Sequence, residues 1–331
     1  MSKIVVNNIE ALNNAIELNM QKDSSIILYG EDAGFEGGVF RATQGLQEKF
    51  GEKRVFDAPI AEASIMGTAV GAALAGLKPI VEMQFSGFSF PAFMNLFGHA
   101  ARLRNRSRGR YSCPIVLRMP MGGGVKALEH HSEALEAIYS HVPGIKVVMP
   151  STPYDVKGLM TAAINDPDTV VFFEPKKIYR AFKQEIPADL YQVEIGKANV
   201  IFEGNDITVV TYGAQVHDCL AAIEKLKSIN PSISVELIDL RTIKPLDVKT
   251  LEASFKKTGR VLVVHEAVKS FSVSAEIITL ANEKAFYNLK AAPQRLTGWD
   301  ITVPWAQGET YHMVNPDRIA SKIVEIVSQE A

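Results

Sequence analysis

The sequence predicts an α/β fold in two domains, each built on a mostly parallel sheet with helices on its faces. Short apolar runs alternate with helical stretches along the chain, the pattern of repeated βαβ units. The alternation pauses at a polar stretch containing Pro187, Asp189, Gln192 and Glu194 and then starts again. A chain of 331 residues, 47% of them hydrophobic, exceeds what one core ordinarily holds. The domains are therefore placed at 1–190 and 191–331.

In order, a helix over 9–20 leads to Ile26-Ile27-Leu28-Tyr29, a buried strand whose carboxyl end is Gly30-Glu31-Asp32. Strands at 80–85, 115–119, 147–149 and 170–174 follow, with helices at 91–103, 132–139 and 155–164. The second series has strands at 207–212, 235–240, 261–265 and 295–296 and helices at 218–227, 247–255, 274–286 and 317–328.

From Pro59 to Leu77 one charged residue occurs, Glu62. Small apolar residues after it, with Gly67 and Gly71 on one face, predict a buried helix packed closely against another element. Gly76 suits its C-terminal stop, with Pro79 beyond. Glu62 then lies in the first turn, where the helix dipole favours an acid by ~0.3–1 kcal/mol. A carboxylate losing hydration at that mouth is also suited to handling a proton on the polar edge of a ligand.

A formal charge of -2 argues against a general nucleic-acid binder. Cys113 and Cys219 stand far apart and outside any CxxC, which fits a reducing compartment. The first residues show no signal core and no apolar run reaches spanning length, so the chain is expected in the cytoplasm. Neither a GxGxxG fingerprint nor a P-loop is present. Gly122-Gly123-Gly124 reads as a flexible loop whose backbone a ligand could approach. In Glu129-His130-His131-Ser132-Glu133 the paired histidines diverge too far to share a metal, which leaves a structural or a proton-transfer role, and Ser132 is placed as the cap of the next helix. Arginines at 102, 104, 106, 108 and 110 form either a solvated basic face or a contact for an acidic partner.

These residues carry a resemblance. Leu28-Tyr29-Gly30-Glu31-Asp32, Gly37-Gly38-Val39-Phe40-Arg41, Pro59-Ile60-Ala61-Glu62, His99-Ala100-Ala101-Arg102, His130-His131-Ser132, the run from Pro143 to Ser151 and Leu237-Ile238-Asp239-Leu240-Arg241-Thr242 are similar to the beta subunits of the E1 components of 2-oxo acid dehydrogenase complexes. The run from Glu174 to Glu185 most resembles members that serve pyruvate. The resemblance implies a thiamine diphosphate-binding, transketolase-like pyrimidine domain followed by a transketolase C-terminal-like domain. It also implies oxidative decarboxylation of pyruvate and reductive acetylation of lipoyl-E2; branched-chain 2-oxo acid or acetoin chemistry, or a scaffold role without catalysis, are the alternatives. The family's Gly-Asp-Gly motif for diphosphate and Mg²⁺ is missing, so an alpha subunit supplies it in an α2β2 tetramer.

By the same resemblance Glu62 falls on the glutamate that hydrogen-bonds N1′ of the cofactor's aminopyrimidine. His131 falls on the active-site histidine and Phe88 on the aromatic that stacks on the pyrimidine, with Phe85 as its structural neighbour. A structural K⁺ site built mainly from main-chain oxygens matches Ile115, Ala163, Ile164, Asp166 and Asp168. The E2 binding domain is expected at the C-terminal domain, near Trp299, Asp300 and Trp305.

Overall fold

The computed structural model describes residues 2–329. The chain forms two compact units, one from the chain up to Met121 with Ile138–Ile195, the other from Gly122–Ala137 with the chain from Gly196 onward.

In unit one, β1 (Lys3–Val6) pairs antiparallel with β8 (Gln184–Pro187), a two-stranded ribbon that the alternation rule does not reveal. The main sheet holds β2 (Ile26–Gly30), β3 (Val55–Asp57), β4 (Lys78–Glu82), β5 (Val116–Met121), β6 (Lys146–Val148) and β7 (Val170–Pro175). Its order is β6-β7-β5-β4-β2-β3, every pair parallel. Strands β2, β5 and β7 are buried along their whole length, the reason they read as unbroken apolar runs instead of alternating ones. Helix α1 (Asn8–Lys22) opens with a reciprocal capping box between Asn7 and Glu10. It packs against α3 (Pro153–Asn165), which Thr152 caps.

Helix α2 (Glu62–Leu74) begins at Glu62. Gly76 at φ 93° ends it: the Gly76 N–H donates to Ala73 O and the Leu77 N–H to Ala72 O, the Schellman arrangement. The expectation of a fully buried helix does not hold within this chain. Ile65, Met66, Ala69 and Ala73 face the core, whereas Ala63, Ser64, Thr68, Gly71 and Leu74 are exposed. A Cβ on Gly67 would stand 3.0 Å from Asn95 Nδ2, but one on Gly71 would meet nothing. The helix expected over 91–103 is likewise broken, into Phe93–Gly98 and Leu103–Arg106, because His99 leaves helical geometry at φ -122° directly after Gly98.

Unit two has β9 (Asn199–Phe202), β10 (Ile207–Thr211), β11 (Val235–Asp239), β12 (Val261–Val264) and β13 (Gln294–Leu296) in the order β13-β12-β10-β11-β9. Only β9 runs antiparallel to its neighbour in this sheet. Helices α4 (Gln215–Ile229), α5 (Val248–Thr258), α6 (Val273–Ala285) and α7 (Pro316–Val327) cover it. Cys219, Ala222 and Leu226 of α4 join Ile319, Ile323 and Ile326 of α7 in its core.

In each unit one strand has the next two strands of the chain on its opposite sides. In unit one β2 lies between β3 and β4; in unit two β10 lies between β11 and β12. The connections therefore diverge at the carboxyl ends of those strands and open a crevice there.

Candidate active site

At the carboxyl edge of the first sheet, the loop after β3 is tied back to the end of β2. Ala58 N–H donates to Gly30 O at 2.9 Å, and Asp57 accepts the N–H groups of Gly34 at 2.6 Å and Phe35 at 3.2 Å. This fixes the approach to Glu62, the first residue of α2, whose side chain is only half-buried. Glu31, 7% exposed at the end of β2, has its carboxyl pushed up by burial and then by the charges of Glu62 and Asp32. Two carboxyls thus stand within electrostatic reach of each other at one strand end. Gln84 Nε2 donates to Asp32 Oδ2 at 3.1 Å across the same edge.

Beyond β4 the chain turns through Ser86–Phe88. Phe85 is buried between the edges of Phe40 and Phe88, at 5.6 and 5.9 Å between ring centroids, and Lys176 Nζ lies 5.9 Å from its ring. Phe88 is half-buried. Phe85 is therefore an enclosed packing residue, and Phe88 is the ring of the pair with surface left to offer.

Behind this edge lies a charge cluster that sequence reasoning missed. Arg118, 1% exposed on β5, donates through Nε and Nη2 to Glu174 at 2.6 and 2.8 Å and is ion-paired with Glu82 through Nη1. Tyr179 adds its hydroxyl to Glu174 at 2.5 Å. Burial works against the Arg118 charge, but Glu174 outweighs it and the guanidinium pKa is raised. The signal was visible: three charged residues inside or at the ends of otherwise apolar strands require partners.

The residues matched to a cation site converge where α3 ends. Ala163 and Ile164 lie in its last turn, and Asp166 is its C-terminal cap, with its N–H on Ala163 O at 3.2 Å. Asp168 N–H donates to Asp166 Oδ1 at 2.9 Å, and Ile115 O accepts from Val170 N–H at 2.9 Å. The carbonyl end of α3 carries the negative end of the helix dipole, which suits a cation. The two carboxylates already have cations: Lys146 pairs with Asp166, and Arg104 with Asp168 at 2.7 Å. Among the described residues no group of three or more His, Cys, Asp or Glu could hold a metal. All five arginines of the alternating series are exposed.

Unit two carries His131. It lies in the turn Glu129–His131, half-buried, and the following helix starts at Glu136, four residues later than expected. Ser132 is not its cap; its hydroxyl turns back to Ala127 O at 3.3 Å. The glycine run is not a loose loop either. Gly123 N–H donates to Glu266 at 2.9 Å and Gly124 N–H to Glu309 at 2.6 Å. Ser132, Glu133, Glu266, Ile301 and His312 contribute to the wall of a cavity of about 120 Å³. Beneath it the buried Glu136 accepts from the Tyr212 hydroxyl at 2.8 Å, and burial pushes its carboxyl up to about 7. His265, stacked on Tyr212 and bonded to Ser274 Oγ at 2.8 Å, is pushed down to about 3 by burial. Trp299 and Trp305 are exposed, while Asp300 is held by the N–H and hydroxyl of Ser270 at 2.7 and 2.8 Å.

Two open α/β units in series, the first with a half-buried carboxylate at a helix start and a half-open aromatic ring at its switch point, define a transketolase-type protein. Residues 5–181 match the family described as transketolase, pyrimidine binding domain, and residues 196–319 that described as transketolase, C-terminal domain. A pyrimidine-binding domain of this type implies thiamine diphosphate. A split-gene transketolase solved as an inactive beta4 tetramer superposes with a TM-score of 0.79 over 98% of this chain and 100% of its own, at 18% identity, which is a likeness of fold. The pyruvate dehydrogenase E1 component subunit beta of Mycoplasma genitalium is 61% identical over 329 residues, 99% of each chain. The 2-oxoisovalerate dehydrogenase subunit beta of Bacillus subtilis is 48% identical over 324 residues, 97% of this chain and 98% of its own. The chain belongs to the family of pyruvate dehydrogenase E1 component beta subunits. None of its described helices is long and apolar enough to cross a membrane.

Proposed function

We propose that this chain, joined to an alpha subunit in an α2β2 tetramer, carries out the thiamine diphosphate-dependent decarboxylation of pyruvate and passes the acetyl group to the lipoyl group of E2 in the cytoplasm. The observation that carries the reading is Glu62: the one charge between Asp57 and Lys78 stands half-exposed at the start of α2, beside Glu31. The donor set fits the cofactor's pyrimidine end, with a carboxylate to accept a ring-nitrogen proton and Phe88 to offer a flat apolar face. When bound, the cofactor supplies the electron sink for decarboxylation. Glu62 holds and moves the proton at N1′, Phe88 orients the ring, and His131 orients or protonates groups during acyl transfer. The diphosphate and Mg²⁺ fall to the alpha subunit, since this chain has no Gly-Asp-Gly. Main-chain oxygens of Ile115, Ala163 and Ile164, with Asp166 and Asp168, are assigned to K⁺. Branched-chain 2-oxo acids are the second reading, favoured by the 48% identity to the 2-oxoisovalerate relative.

The test is Glu62→Gln in the reconstituted tetramer. Assembly is expected to persist while turnover falls by about 10²–10⁴-fold, with slowed hydrogen–deuterium exchange at the cofactor's C2. Unchanged exchange would reduce Glu62 to a helix-dipole residue. A higher kcat/KM for 3-methyl-2-oxobutanoate than for pyruvate would select the second reading.

A further inference from the structure

The chain from Gly122 to Glu133 is a closed loop. Its neck is joined by Gly122 N–H donating to Glu133 O at 3.2 Å, and His131 lies two residues before that closure. Its outer limb, Gly124 to Lys126, is exposed, and left to itself such a limb would move. Two acidic side chains from elsewhere in the same unit grip it instead. Glu309, 2% exposed, accepts the N–H groups of Gly124 at 2.6 Å and Lys126 at 2.5 Å, one on each carboxylate oxygen. Glu266, 9% exposed, accepts that of Gly123 at 2.9 Å. The glycines are required for this grip. A Cβ on Gly122 would lie 2.4 Å from Glu266 Oε1, and one on Gly123 2.6 Å from Glu309 Oε1. Gly122 and Gly124 also have φ of 83° and 91°, which lets successive N–H groups turn toward the same side. Such an array ordinarily receives a ligand anion; here the chain's own carboxylates fill it.

We infer that Glu309, seconded by Glu266, is a positioning residue for the acyl-transfer step, holding the Gly122–Glu133 loop so that His131 keeps its working place. The inference rests on the role proposed above for His131. A charge-assisted bidentate grip on two N–H groups is among the stronger neutralisations available to a carboxylate, and loss of an ångström in the placement of a reacting group costs up to about 10²-fold in rate. Glu309 touches no reacting atom, so its effect should pass entirely through the loop.

The experiment is a double-mutant cycle in the reconstituted tetramer with Glu309→Ala, His131→Ala and the pair. Transfer to lipoyl-E2 and decarboxylation with an artificial electron acceptor are both measured, and amide exchange at residues 122–133 is followed. Glu309→Ala is expected to lower kcat for transfer by about 10- to 100-fold with a smaller effect on the artificial-acceptor rate and little change in KM for pyruvate, to speed exchange at Gly124 and Lys126, and to add less than about twofold in the His131→Ala background. Glu309→Gln, which keeps one accepting oxygen, should fall between wild type and Ala. If His131→Ala impairs transfer but Glu309→Ala does not, the positioning inference is overturned and the role of His131 stands. Additive losses in the double mutant also overturn it, because Glu309 then acts by another route. If His131→Ala leaves transfer unchanged, the proposed role of His131 fails and the inference with it.

Discussion

Both units bury a polar cluster near the carboxyl ends of their central strands, but they satisfy it in opposite ways. Unit one pairs charges: the Arg118 guanidinium lies between Glu174 and Glu82, and Tyr179 completes Glu174. Unit two suppresses charge: burial pushes the Glu136 carboxyl up to about 7 and His265 down to about 3, and each is met by a hydroxyl, from Tyr212 and Ser274. A paired buried cluster is costly to break, because removing one partner leaves the other charge uncompensated. A cluster held neutral costs less to perturb and is sensitive to pH where its acid ionises. Two sheets of similar build thus meet the same demand, that buried polar groups be satisfied, with different responses to mutation and acidity.

The largest effect expected from this contrast follows removal of the cation. Arg118→Met would leave Glu82, 3% exposed, and Glu174, 3% exposed, without their counter-ion, and losing one partner of a buried ion pair costs about 3–5 kcal/mol. Adding Glu82→Gln and Glu174→Gln should restore part of that loss. Denaturant unfolding measures both, and a loss under about 1 kcal/mol for Arg118→Met would mean that the cluster is not held by charge pairing.

Next in size is the acid of unit two. The folded-state pKa of Glu136 is raised, from 4.5 to about 7, so folding takes up a proton between those values. The associated stability is fully present below about 4.5 and is lost as pH rises through about 7, amounting to roughly 3 kcal/mol at most. Glu136→Gln should therefore flatten the fall in stability between pH 5 and 8 and make the variant the more stable protein at the upper end. A pH slope equal to that of wild type would show that Glu136 is ionised in the fold throughout.

These clusters also mark where the sequence stops being legible. The strand alternation, Glu62 at the start of α2 and the stop at Gly76 could be read because each is a local signal, an apolar period or a residue with one conformational use. The grip of Glu266 and Glu309 on Gly123 and Gly124 could not, since the partners are 143 and 185 residues apart. For that reason the glycine run read as a flexible loop when it is a bound one. The ribbon of β1 and β8 escaped in the same way, its strands pairing distant residues such as Lys3 with Pro187. The open face of α2 misled in the other direction: small residues permit close approach without requiring it inside the same chain. Phe88, the choice of His131 over His130 and the N1′ role of Glu62 came from family likeness, because a ring or imidazole has no periodicity to announce it, whereas Glu62 stood out as the single charge from Pro59 to Leu77.

The smallest effect compares the two tyrosines, and it tests the contrast most directly. Burial raises the hydroxyls of Tyr179 and Tyr212 well above their ordinary range, with the neighbouring carboxyl adding to it in each case, so both remain donors across the accessible pH range. Tyr179 donates to Glu174 within its ion pair with Arg118, and Tyr179→Phe should cost about 1.5–3 kcal/mol, the range for a bond to a charged group. Tyr212 donates to Glu136 at 2.8 Å, which is protonated at pH 5, where Tyr212→Phe should cost only about 1 kcal/mol. As pH passes about 7 Glu136 must ionise; the Tyr212 hydroxyl eases that ionisation, and without it the folded-state pKa rises further. The cost of Tyr212→Phe should therefore grow with pH, on the alkaline side of about 7, a rise that the ion-paired Glu174 gives no reason to expect for Tyr179→Phe. Measuring both variants by denaturant unfolding at pH 5 and pH 8 separates the cases, and parallel pH behaviour in the two would mean that the units do not differ in how they carry buried charge.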